Sequence, residues 1–310
     1  MKLVFLGTAE FSCSALETLL ASSHEVMAVV TQPDRPKGRG QRLSPSPVKA
    51  LAVARNLPLL QPEKIRDPSF REVLQSFHPD LLVVVAYGQI LPPSVLSIPP
   101  RGCVNLHASL LPKYRGAAPI ARAILAGETR TGVTTILMDA GMDTGPILLT
   151  EETHIAAEDT TGTLHERLSR MGARLLERTL DGVEKGTIIP RPQDHSQATY
   201  APKIKKEEGR INWHTPARQL FNLLRALDPS PGAFTFWAKR TLKLFLPTFS
   251  EEKAMEAPGT VVQASVNSLV IATAQGYLLV RELQLESRPR MRVDEFLRGY
   301  PLKAGIQFGV

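Results

Sequence analysis

Two polar side chains stand two residues apart in an otherwise apolar stretch, Val104-Asn105-Leu106-His107. Read as a strand, the period of two puts Asn105 and His107 on one face. An amide donor beside an imidazole can polarise a carbonyl and move a proton within a single site. Both groups could instead close the following loop with hydrogen bonds, and an isolated N-x-H pattern does not choose between these roles. The pair belongs to residues 102–120, GCVNLHASLLPKYRGAAPI, which begin as a strand and turn abruptly into a Pro-bounded, Gly-containing loop. If the strand is a buried one of an α/β sheet, the pair reaches its carboxyl edge, where open sheets bind ligands.

The elements that must carry this pair follow from hydrophobic periodicity. Residues 2–7 read as a buried strand. Residues 7–11 turn into a helix with apolar positions Phe11, Ala15, Leu16, Leu19 and Leu20. A second strand over 24–31 completes a βαβ unit of a parallel sheet. Only one glycine stands in the first turn, so the dinucleotide fingerprint is absent and NAD or FAD is not expected. Helices are expected over 47–56 and 69–77, and a short strand over 58–61. Residues 80–87, DLLVVVAY, read as a central parallel strand, apolar on both faces. That strand runs into GQILPP at 88–93, whose Ile-Leu rim could hold a flat heterocycle or pack against its neighbours. Beyond the 102–120 stretch come a helix over 117–126, a strand over 132–138 and a tight acid-bearing turn, DAGMDTGP, at 139–146. An edge strand over 147–154 precedes a helix over 163–180, capped by Asp159 or Thr160. Its stripe of Leu164, Leu168, Met171, Leu175 and Leu176 has the spacing of a core face.

Two stretches break the α/β rhythm. Residues 33–47, PDRPKGRGQRLSPSP, set Arg35, Lys37, Arg39 and Arg42 against Asp34 in a basic loop with no buried face. Arginine there suits phosphate recognition, because its planar fork grips oxyanions bidentately. From residue 189 the texture turns Pro-rich and charged without an apolar period, which marks an interdomain linker. An amphipathic helix over 216–227 and five short strand-like runs follow, so a small β-barrel is the natural second domain.

Composition bounds the possibilities. A chain of 310 residues favours two domains. Its 43% hydrophobic and 22% charged content is that of a soluble globular protein with a sizeable core. Gly7 and Glu10 interrupt the first apolar run too early for a signal peptide. The most apolar stretch, 81–86, is too short to span a bilayer. Cys13 and Cys103 sit in apolar settings and read as small buried hydrophobes in a reducing cytosol. No Cys/His spacing suggests zinc, and no metal is expected. The net charge of +7 is uneven: residues 1–189 carry 20 Lys+Arg against 19 Asp+Glu, whereas 190–310 carry 17 against 11, a balance of +6. That asymmetry suggests a polyanionic partner, nucleic acid first, for the second half.

NLHASLLPKYRGAAPI at 105–120, together with MDAGMDTG at 138–145, resembles the folate-dependent formyltransferases. QPDRPKGRG at 32–40, SPSPVK at 44–49, VVVAYGQILP at 83–92 and KEEGRINW at 206–213 are similar to the branch that acts on methionyl-tRNA. The resemblance covers essentially the whole chain, with separated motifs in the right order. It implies a Rossmann-like, mostly parallel α/β sheet with helices on both faces, followed by a small OB-like β-barrel. In that division 1–189 is the catalytic domain, 190–206 the linker and 207–310 the tRNA-binding domain. The implied reaction moves a formyl group from 10-formyltetrahydrofolate to the α-amino group of methionine on initiator tRNA.

The family's catalytic set falls on Asn105, His107 and Asp143, with the first two stabilising an oxyanion and Asp143 holding the imidazole in its working tautomer. Folate contacts fall on Ser109, Leu110, Leu111 and Pro112, with Tyr87, Gly88, Ile90, Leu91 and Asp139 walling the pterin. Contacts to tRNA fall on Arg35, Lys37, Arg39 and Arg42 and on Lys203, Lys205 and Lys206. A cytoplasmic monomer, with neither metal nor membrane, completes the expectation. The rival is a folate-dependent formyltransferase acting on a small amine, which would need neither the basic insertion nor the charged second domain.

Overall fold

The computed structural model describes residues 1–37 and 42–309, and its chain falls into two compact units. One comprises Met1–Pro119, Arg130–Thr153 and His165–Ala201; the other comprises Ile120–Thr129, His154–Leu164 and Pro202–Val310. The stretch 190–206, expected as a linker, is shared between them.

The chain begins with β1 (Lys2–Gly7), α1 (Phe11–Ala21), β2 (Glu25–Val30), β3 (Arg35–Lys37), β4 (Arg42–Ser44), α2 (Pro47–Ala54) and β5 (Leu59–Leu60). It continues through α3 (Pro68–Ser76), β6 (Leu81–Val85), α4 (Pro93–Leu96), β7 (Cys103–His107), α5 (Pro119–Leu125), β8 (Arg130–Leu137), β9 (Ile147–His154) and α6 (Thr161–Glu184). The main sheet of the first unit has the order β5-β2-β1-β6-β7-β8-β9. Pairing is parallel from β5 to β7 and antiparallel between β7 and β8. Strands β6 and β7 are buried along their whole length, as parallel strands covered on both faces must be. The winding moves outward from β1 to β5 and then resumes at β6 on the other side of β1. Such a switch opens a crevice at the strands' carboxyl ends.

Helix α1 buries Phe11, Ala15, Leu16 and Leu19, the expected apolar face. Helix α6 buries Leu168, Met171, Leu175 and Leu176. Two buried hydroxyls lock it in place: Ser169 Oγ donates to Phe11 O at 3.0 Å, and the Thr179 and Thr135 hydroxyls meet at 2.8 Å. Pro47 opens α2 at its first turn, and Ser46 caps it by accepting from Lys49 N at 3.0 Å.

The basic stretch 33–47 is not wholly a loop. Arg35–Lys37 and Arg42–Ser44 pair antiparallel, with Pro36 opposite Leu43. A two-stranded ribbon has two edges, so a proline lacking N–H can sit where no ladder bond is needed. Just before this pair, Lys49 Nζ donates to both Asp34 carboxylate oxygens, at 2.9 and 2.8 Å, and Gln61 Nε2 adds a third contact at 3.1 Å. These bonds hold the Asp34 carboxyl below its usual range. Arg39 lies outside the described residues.

The second unit holds α7 (Ala217–Ala226), β10 (Phe234–Trp237), β11 (Arg240–Ser250), β12 (Val261–Ala264), β13 (Leu269–Ala272), β14 (Tyr277–Leu285), β15 (Met291–Arg292) and α8 (Val293–Gly299). The strands form one antiparallel sheet, β10-β11-β14-β13-β12, with β15 on β14. It is a half-barrel, the open form of the expected OB-like barrel. Leu220 and Leu224 of α7, Phe296 of α8 and the inward residues Leu244, Ile271, Val280 and Leu283 share one core with Trp213. Among the described residues, no helix is long and apolar enough to cross a membrane.

Candidate active site

Strand β7 delivers the first two groups. Its register sets Asn105 beside Val84 of β6 and Ile136 of β8, and His107 beside Thr134. Both polar side chains are buried at the carboxyl edge, against the turn between β8 and β9. Asp143 comes from that turn. Its Oδ1 accepts from Asn105 Nδ2 at 3.4 Å, and its Oδ2 lies 3.6 Å from His107 Nδ1. The backbone N–H of Gly116 donates to the same Oδ2 at 2.8 Å. The three groups expected from the sequence are therefore gathered around one carboxylate.

Hydrogen-bond logic settles the imidazole. His107 Nε2 meets the Tyr114 carbonyl at 2.9 Å. A carbonyl only accepts, so Nε2 carries a hydrogen and Nδ1 is left facing Asp143 as the nitrogen that can take or release a proton. Asn105 spends one amide hydrogen on Asp143 and keeps a second for a ligand.

The turn carrying Asp143 is held in an uncommon shape. Asp143 has φ +53°, a left-handed conformation that Asp tolerates better than most residues. Two residues on, a Cβ at Gly145 would lie 1.9 Å from Leu137 O, so only glycine fits. Asp139 closes the start of the turn, its Oδ1 accepting from Gly141 N at 3.0 Å and from Thr144 Oγ1 at 2.6 Å.

A buried network that sequence reasoning missed lies behind this turn. Gln193 Nε2 donates to Asp143 O at 2.8 Å and to Gly145 O at 2.7 Å. Its Oε1 accepts from Arg115 Nε at 3.2 Å and Nη2 at 2.7 Å. Arg115 Nη2 also meets His195 Nδ1 at 3.1 Å. The backbone around Gln193 is tied down as well. Arg191 and Ile147 exchange two bonds of 2.8 Å, Arg115 N donates to Thr199 O at 2.9 Å, and Ala201 N donates to Arg115 O at 2.7 Å.

The residues aligned with folate contacts surround this edge unevenly. Ser109 Oγ donates to Lys113 O at 2.6 Å, and Thr134 Oγ1 bridges Ser109 O at 2.7 Å and Leu111 N at 3.3 Å. Leu111 and Leu91 are buried, while Leu110 and Pro112 are half-buried. The Leu111–Pro112 peptide is cis. Gly88 is exposed at φ +83°, and Ile90 beside it is 81% exposed, an apolar side chain offered to solvent. Tyr87 sits inside the apolar cluster with Leu6, Val84 and Val95. Its hydroxyl is buried with no partner among the described residues, and burial pushes the phenol up to about 12.

Of the residues that the resemblance assigns to tRNA contacts, Arg35 is exposed in the first unit, and the backbones of Lys37 and Arg42 stand opposite each other in the β3–β4 ladder. Lys203, Lys205 and Lys206 are exposed in the second unit. Among the described residues, one group has the spacing of metal ligands: His24, Asp181 and Glu184. His24 precedes the amino end of β2, on the opposite edge of the sheet from β7's carboxyl end. Its two ring nitrogens face Asp181 and Glu184 at 3.2 and 3.7 Å.

A switched parallel sheet with an amide, an imidazole and a carboxylate at its carboxyl edge defines a class that comparison identifies. Residues 1–180 match the formyl transferase family and residues 203–301 match the C-terminal domain of formyl transferases. Methionyl-tRNA formyltransferase of Trichlorobacter lovleyi is 49% identical over 304 residues, covering 98% of this chain and 96% of that protein. That of Pelobacter propionicus is 49% identical over 307 residues, covering 99% and 96%. The chain belongs to the methionyl-tRNA formyltransferase family. Among solved structures, HypX from Aquifex aeolicus in complex with tetrahydrofolic acid shares the fold, with a TM-score of 0.67 and 19% identity over 100% of this chain and 50% of that one.

Proposed function

We infer that the chain transfers the formyl group of 10-formyltetrahydrofolate to the α-amino group of methionine on initiator methionyl-tRNA, with Asn105, His107 and Asp143 as its catalytic set. The observation that carries the residue roles is the shared carboxylate. Asp143 engages the Asn105 amide at 3.4 Å and faces His107 Nδ1 at 3.6 Å, at the edge where an open sheet receives ligands. The folate supplies a formyl group bonded to nitrogen. Asn105 keeps an amide hydrogen for the formyl oxygen, whose charge grows as the amine adds. His107 Nδ1 and Asp143 Oδ2 form the pair that takes the amine's proton as its nitrogen bonds the formyl carbon. The pair returns it to the folate nitrogen as the bond from that nitrogen to the formyl carbon breaks, while the Tyr114 carbonyl anchors the ring. The residues fit the donor. Ile90 offers apolar surface near the exposed Gly88 backbone, and in this reading Ser109–Pro112, Leu91, Tyr87 and Asp139 are the remaining folate contacts.

Arg35, Lys37, Arg39 and Arg42, with Lys203, Lys205 and Lys206, contact the tRNA in this reading, and the enzyme works as a cytoplasmic monomer. The small-amine alternative leaves the +6 balance of residues 190–310 without a purpose. Incubation with charged initiator tRNA and 10-formyltetrahydrofolate, with elongator methionyl-tRNA as control, tests the whole. Formylation of the initiator alone is expected; transfer to a small amine in place of either tRNA would overturn it. Arg42→Ala should lower kcat/KM for the tRNA while leaving the KM for folate near its normal value. Asn105→Ala should lower kcat by ~10²–10³, the usual loss for one oxyanion donor.

A further inference from the structure

We propose that Gln193 is a positioning residue for formyl transfer, setting the backbone turn that presents the Asp143 carboxylate; this rests on the catalytic reading of Asp143 above. Gln193 is 6% exposed and saturates both ends of its amide. A guanidinium only donates, so Arg115 compels Oε1 to face it, and that settles which end of the amide faces the turn. The two Nε2 hydrogens then go to the carbonyls of residues 143 and 145, on either side of one peptide step. That bracket spans the residue whose backbone is left-handed and the glycine that tolerates no side chain.

The same loop that supplies the guanidinium grips the site from its other side. Tyr114, immediately before Arg115, gives its carbonyl to His107, and Gly116, immediately after, gives its N–H to the Asp143 carboxylate. Arg115 itself is 2% exposed. Gln193 thereby closes a ring of bonds. Its amide holds the main chain of the 139–145 turn, and the flanks of Arg115 hold the functional groups of His107 and Asp143. A loosened turn would let the Asp143 carboxylate swing away from both the Gly116 N–H and His107 Nδ1. Misplacing a reacting group by about 1 Å can cost on the order of 10²-fold in rate.

The test is a kinetic cycle. Gln193→Ala removes both donors, and kcat is expected to fall on the order of 10²-fold with little change in KM for either substrate. In an Asp143→Asn background the same change should add little, because the group it positions has already been disabled. Gln193→Glu preserves volume and the bond to Arg115 but cannot donate to the two carbonyls. It should behave like Gln193→Ala, and it carries the test if the alanine variant does not fold. Hydrogen exchange at the Gly116 amide, which bonds the Asp143 carboxylate, should accelerate in both variants. An unchanged kcat, or an equal fold-loss with and without Asp143, would overturn the positioning role. Full activity in Asp143→Asn alone would instead overturn the catalytic reading beneath it, whatever Gln193 does to the Gly116 amide.

Discussion

His107 shows how a single contact chooses chemistry. With Nε2 committed to the Tyr114 carbonyl, the two ring nitrogens have separate tasks, and two substitutions separate them. Glutamine at 107 places a donor near the Nε2 position, whereas asparagine places one near Nδ1. His107→Gln should keep a melting temperature close to the parent and lose ~10²–10³ in kcat. His107→Asn, whose amide cannot take up a proton either, should also lose about 10²–10⁴ in kcat and melt lower for want of a donor to the Tyr114 carbonyl, and single-turnover formylation beside thermal melting reads both. The pair on β7 was legible because a strand's alternation assigns faces from spacing alone. Gln193 was not legible. It stands in a Pro-rich stretch with no period, and its partners on the turn are backbone carbonyls, which no pattern of residue types announces. Tyr87, which the resemblance assigns to the pterin wall, is 1% exposed, and burial of that kind cannot be read from the type of one residue.

Elements carry their own consequences. Cys103 begins β7, and burial pushes its thiol up to about 12. The protonated form is therefore favoured by folding below the ordinary thiol range, and that contribution is lost only as pH climbs toward 12. At neutral pH Cys103 should resist iodoacetamide in the native enzyme and react after denaturation, as peptide mass spectrometry would show. Gly172 of α6 faces Leu106, the residue between Asn105 and His107; a Cβ there would lie 2.8 Å from Leu106 Cδ2. Gly172→Ala gains about 1 kcal/mol of helix propensity but overpacks the core by about 1–3 kcal/mol. A net loss of stability, with kcat reduced through the displaced strand, is the expected result of melting and kinetics on that variant. The long strands and helices were readable because burial writes itself as periodicity. The pairing of Arg35–Lys37 with Arg42–Ser44 was not, since these short runs are charged and proline-bearing and leave no apolar alternation.

At the scale of the molecule, charge is the most transferable signal. Residues 190–310 hold a balance of +6 against +1 for the remainder, and the exposed Lys203, Lys205 and Lys206 belong to that share. If six or more phosphates are neutralised, kcat/KM for the tRNA should fall by roughly 10³-fold or more between 50 and 200 mM salt. A small amine acceptor, assayed in parallel, should show almost no slope. Linear composition located the change of texture near residue 189, but compact units need not be continuous in sequence. Ile120–Thr129 and His154–Leu164 group with the second unit although they precede that change of texture, something only three-dimensional contacts reveal. The ring closed by Gln193 also imposes a timetable on synthesis. A nascent chain that has emerged as far as residue 180 already possesses Asn105, His107 and Asp143, yet the strap running from Arg191 to Ala201 is still inside the ribosome. With Gln193 as the proposed brace, the enzyme is born with Asn105, His107 and Asp143 ahead of the residue that aligns them.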